Sequence, residues 1–136
     1  MRKAYRGQFD LSLVDFCEAL KGRTPVQALF FVPPVDDAQY FRVYAERGMW
    51  IAPYDKTTLW HTKRDYAMMQ ERVATLKGFY DSATTSAERE KVLKRLRSDG
   101  VDHVVTRADS EWAAELSWPI VFQQGPWQLR APPPGL

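Results

Sequence analysis

The sequence has 136 residues, 45% hydrophobic and 26% charged, with a net charge of +2 and a single cysteine. That length fits one domain around one core, and the small charge excess gives no argument for a nucleic-acid partner. Cys17 alone excludes an intrachain disulfide framework and any cysteine-rich metal site.

No apolar run approaches the roughly 20 residues that a membrane-spanning helix needs. No apolar stretch follows the basic Met1–Arg6, so no secretory leader is expected.

Residues 1–8 are polar and basic and are expected to fray. Asp10 is a good N-cap, with Phe9 and Val14 at hydrophobic-staple spacing. Leu13, Val14, Cys17 and Leu20 share one face, so a helix is predicted over residues 10–21, stopped by Gly22. Cys17 on that stripe reads as a small core residue rather than a nucleophile.

After a turn at Arg23–Pro25, the apolar run Ala28–Val32 ends at Pro33 and Pro34. Aromatic and β-branched residues without polar alternation predict a strand buried on both faces, the centre of a parallel sheet. Residues 37–46 predict a short helix capped by Asp36 or Asp37 and ended by Gly48. Met49–Ala52 predicts a second strand, parallel to the first through a right-handed crossover.

A long helix is expected from Thr57 or Thr58, with Tyr66, Met69, Val73, Leu76 and Tyr80 as its apolar stripe and Met68 filling the core beside it. Thr85 and Glu88 form a capping-box signature. The basic run Arg89–Arg97, with Glu88 and Glu90 interspersed, reads as the solvated face of the next helix. Residues 101–105 predict a third strand, in which His103 reads as a core or edge histidine.

Asp109 or Ser110 caps a short helix with Trp112, Ala113 and Leu116 facing in. Ile120–Phe122 and Trp127–Arg130 predict a C-terminal hairpin, and residues 132–136 a flexible tail.

The order predicts a single α/β domain over residues 1–136. Its sheet is expected to be mostly parallel, of about five strands, with helices packed on it and an antiparallel C-terminal hairpin. In such a fold ligands gather at the carboxyl ends of the strands. Three loops should meet there: Pro33–Asp37, Pro53–Lys56 and Thr106–Asp109. They make Asp36, Asp37, Asp55, Lys56 and Arg107 candidate ligand-binding residues, with Asp109 beside them; Arg42 and Arg47 on the first crossover join the set. The bland reading of Arg42 and Arg47 is ion pairing with Asp36, Asp37 or Glu46.

No glycine-rich phosphate loop, nucleophile elbow or paired-histidine motif occurs, so neither a catalytic set, a cofactor nor a metal site is assigned. His61, beside Asp65, reads as a surface pair.

The segments Arg23–Pro34, Tyr40–Gly48 and Gly100–Val105, followed by Pro119–Phe122 and Trp127–Arg130, resemble the soluble C-terminal domain of bacterial polytopic membrane proteins similar to GT-C-class glycosyltransferases. The matching elements are a "TP-x-x-ALF-x-x-PP" strand, an "FR-x-x-x-x-R" crossover on Phe41, Arg42 and Arg47, a polar loop on Asp55 and Lys56, and a "GVD-[HY]-VV" strand. The resemblance covers roughly residues 10–131. It implies an extracytoplasmic domain beside a membrane-embedded portion, near a glycan or lipid-linked sugar. In that class the catalytic carboxylates lie in loops of the membrane part.

The expected function is therefore a non-catalytic accessory or binding domain for a sugar, a lipid head group or a partner protein. Two alternatives stand beside it. One is a small metal-dependent hydrolase or transferase using Asp36, Asp37 and Asp55. The other is a structural module dimerising through Trp60, Trp118 and Trp127.

Overall fold

The computed structural model describes residues 11–34, 41–51 and 63–134. In chain order these form helix α1 (Leu11–Lys21), strand β1 (Leu29–Phe31), helix α2 (Phe41–Ala45) and strand β2 (Gly48–Met49). Helices α3 (Lys63–Phe79) and α4 (Ser86–Ser98) follow. Strand β3 (His103–Arg107), a 3-10 helix (Glu111–Glu115) and strands β4 (Ile120–Gln124) and β5 (Trp127–Arg130) complete it.

The five strands make one sheet in the order β2-β1-β3-β5-β4. Strand β1 has parallel neighbours on both sides, with Leu29 opposite Gly48 and Phe30 opposite His103. The other half is antiparallel: Val105 lies opposite Leu129, and Gln124 opposite Trp127. The sheet is therefore mixed, not mostly parallel. Helical crossovers return a strand in the same direction, whereas the Gly125–Pro126 turn reverses it. Gly125 has φ 57°, the left-handed conformation that opens such a two-residue turn. The hairpin also does not simply extend the margin. Its second arm, β5, lies between β3 and β4.

Alternation along each strand divides the core between two faces. Phe30, Val105, Trp127 and Leu129 pack with Leu13, Phe16, Cys17 and Leu20 of α1 and with Phe41 and Ala45 of α2. Phe31 and Val104 point the other way, to Leu76 and Phe79 of α3, Leu93 and Leu96 of α4, and Ala113, Leu116 and Trp118. Each fully buried side chain of this size contributes about 1.5–3 kcal/mol from removal of apolar surface from water.

The local signals are realised where they were strongest. Thr85 and Glu88 form a reciprocal capping box at the start of α4. At its end, Val101 N–H donates to Leu96 O at 2.9 Å around Gly100, whose φ is 88°. Asp10 and Phe9, the predicted cap and staple of α1, lie outside the described residues.

Several expectations change. Gly48 opens β2 instead of ending the preceding helix. Met68 is half exposed, not core. Arg89 is buried, unlike Lys91 and Lys94 in the same basic run. Trp118 and Trp127 are interior side chains and cannot form a dimer surface; Trp60 lies outside the described residues.

Candidate binding site

The parallel direction of β1, β2 and β3 does bring their carboxyl ends to one edge. Tyr80, just past α3, ties that edge together. Its hydroxyl sits 2.7 Å from Val105 O and 3.2 Å from Phe31 O, sharing its proton between carbonyls of two strands. Its ring stacks on Phe31 at 5.6 Å. Burial drives the phenol well above its ordinary pKa, so Tyr80 is a neutral strut and not a base.

Beyond β3 the chain turns through Asp109 and Ser110 into the 3-10 helix. Arg107 Nε donates to Asp109 Oδ1 at 3.2 Å, and its guanidinium lies 4.9 Å from the Trp127 ring centre. These contacts hold Asp109 at the strand end. Next to it opens a cleft of about 610 Å³ lined by Tyr80, Ser82, Asp109, Ser110, Glu111, Trp112 and Glu115. Glu115 also accepts from Ser86 Oγ at 2.9 Å, which links the cleft wall to the first turn of α4.

Arg89 braces the aromatic side of this cleft from behind. Its guanidinium lies 3.9 Å from the Trp112 ring centre, Nε donates to Phe79 O at 2.8 Å, and Nη2 donates to Asp81 O. Burial pulls its pKa down, while Glu115, Asp81 and Glu88 oppose that shift. An arginine in this position fills the end of α3, where carbonyls lack helical partners.

Arg47 has a different place. It precedes β2, so it stands at the amino edge of the parallel strands, opposite Arg107. It is 7% exposed. Its guanidinium donates to Thr24 Oγ1 (3.1 Å) and to the carbonyls of Lys21 (2.9 Å), Thr24 (2.9 Å), Ala45 (3.3 Å) and Glu46 (3.1 Å). It joins the end of α1 to the turn before β2. Glu46 in that turn takes a positive φ of 54°, and its carboxylate lies 2.7 Å from Lys21 Nζ.

Asp36, Asp37, Asp55 and Lys56, and the side chain of Arg42, lie outside the described residues. Of the sequence candidates, the structure therefore positions Arg107 beside the cleft and Arg47 at the far edge.

His103 and Cys17 are packed away from the cleft. His103 stacks on Phe30 at 4.9 Å, its Nδ1 has no hydrogen-bond partner among the described residues, and burial lowers its pKa against the opposing charge of Asp102. Burial pushes the Cys17 thiol up to about 12. Among the described residues no group of three His, Cys, Asp or Glu side chains could hold a metal ion, and no helix is long and apolar enough to cross a membrane.

Sequence reasoning places Asp109 at the strand end but misses Ser82, Glu111, Trp112 and Glu115. The available signal is the polar triplet Asp109-Ser110-Glu111 immediately after an apolar strand. Trp112 is expected to face inward, and it is partly buried, packed against the Phe79 side of the core. From its place in the 3-10 helix Trp112 also lines the cleft. In comparison with known proteins, the chain matches no family model, no curated protein and no solved structure.

Proposed function

We propose that this chain is a non-catalytic binding domain that takes a neutral, hydroxyl-rich ligand, a sugar by class, in the cleft beside Asp109. The observation that carries the reading is the composition of its wall. Three carboxylate residues (Asp109, Glu111 and Glu115) and two serines line one open cleft with Trp112. Ionised carboxylates only accept hydrogen bonds, so they suit the hydroxyl donors of a polyol and repel phosphate. An indole supplies an apolar wall for the C–H face of a sugar ring. The resemblance of the Arg23–Pro34 and Gly100–Val105 motifs supports an extracytoplasmic setting beside a membrane-embedded portion.

The test is a titration of the isotope-labelled chain with neutral mono- and disaccharides, followed by amide and indole NMR shifts. Shifts are expected at Ser82, Asp109, Ser110 and the Trp112 indole. Asp109→Asn and Glu115→Gln should each weaken binding about tenfold, the loss of one charge-assisted hydrogen bond. Undisturbed spectra at millimolar sugar, or unchanged affinity in both variants, would overturn the reading.

A further inference from the structure

A second cleft, of about 530 Å³, opens on the other side of the 3-10 helix. Its polar end is Arg130, only 4% exposed. Among the described residues Arg130 is bonded only to neutral acceptors: Thr106 Oγ1 (3.0 Å), Trp118 O (3.0 Å) and Gln128 Oε1 (3.2 Å). A guanidinium has five N–H donors, so these bonds leave two without a partner among the described residues. No carboxylate among the described residues pairs with it, unlike Arg95 and Arg107. A buried cation without a counter-ion is costly and stays charged in arginine. The rest of the cleft is largely apolar, with Leu116, Pro119 and Ile120 in its wall.

We infer that this cleft is a site for a small monocarboxylate with an apolar body, its carboxylate on Arg130 and its chain against Leu116, Pro119 and Ile120. The planar fork of an arginine matches a carboxylate. Glu111, exposed where the two clefts adjoin, adds a negative charge at the rim. That charge favours a monoanion over a phosphate dianion. The inference is independent of the sugar reading, because it rests on another cleft and another charge.

The experiment uses the intact chain, titrated at constant ionic strength with acetate, propionate, butyrate, butyramide and inorganic phosphate, and read by NMR shifts of Gln128, Ile120 and the Arg130 Nε–H. Affinity should rise about fourfold for each added methylene. Butyramide should leave the spectrum unchanged, and phosphate should bind more weakly than butyrate. Arg130→Lys should lose binding at least tenfold. Should that variant fail to fold, Ala114→Glu, at an exposed lining position, should abolish butyrate binding with the fold intact. Glu111→Gln should strengthen it. Equal response to butyrate and butyramide, or wild-type affinity in folded Ala114→Glu, would overturn the inference.

Discussion

Arg47 and Thr24 are joined twice: Nε donates to the threonine hydroxyl at 3.1 Å and Nη2 to its carbonyl at 2.9 Å. The pair closes the gap between the end of α1 and the entry to β2. Replacing Arg47 by methionine should cost about 3 kcal/mol, since several carbonyls lose a charged donor together. Urea unfolding checks this. Lys94→Ala, on the exposed face of α4, should stay within about 0.5 kcal/mol of the parent. An Arg47→Met variant as stable as the parent would remove the tie from the description.

Glu71 and Arg95 make the clearest prediction of pH dependence. Arg95 donates to both carboxylate oxygens, at 2.5 and 2.6 Å. This holds the Glu71 carboxyl at about 2, against an ordinary 4.5, with Arg95 the largest cause and Thr75 and Arg72 assisting. The folded pKa lies below the unfolded one, so the folded state binds fewer protons. The stabilisation is fully present above about 4.5 and is lost as pH falls toward about 2. Glu71→Gln should flatten the stability curve in that window. Thermal melts of both proteins between about pH 2 and 6 would decide it, with identical slopes counting against the pair.

Cys17 should be chemically silent in the folded protein. Its thiol sits at 0% exposure between α1 and the sheet, with a pKa of about 12. A thiol-specific reagent at about pH 8 should label it only at the rate at which the structure opens, and immediately in denaturant. Rapid labelling of the native chain would show that α1 is not seated as described.

Two substitutions test the two ends of the stability scale. Phe30 is fully buried against Phe41 and His103, so Phe30→Ala should cost about 3–5 kcal/mol through lost burial and the cavity left behind. Thr85→Ala removes one half of the α4 capping box and should cost about 1 kcal/mol. Denaturant midpoints of the two variants should fall in that order.

What could be read from the residues follows from where local rules are strong. The Ala28–Val32 run, the Thr85–Glu88 box and the Gly100 stop each carry their own geometry, so their elements appear where expected. The parallel placement of β1 between β2 and β3 also follows from helical crossovers. Strand order at the C-terminal end does not. Nothing in Trp127–Arg130 itself says that this arm, rather than Ile120–Gln124, pairs with β3. That choice is made by Trp127 and Leu129 joining Phe16 and Leu13 in one core. Arg89 and Arg130 are equally opaque, since a buried arginine differs from a solvated one only in what surrounds it. Arg47 has the right residue type for a ligand contact, but its neighbours are backbone carbonyls.

The indole of Trp127 donates to Ser12 Oγ at 3.1 Å, across 115 positions of sequence. The first described helix and the last strand are thus walls of the same chamber. During synthesis, α1 would leave the ribosome long before its partner is translated, so the Phe16 side of the molecule stays open until Trp127 and Leu129 have been added. Premature termination ahead of residue 127 would leave that helix only part of its seat, on Phe30, Phe41 and Val105.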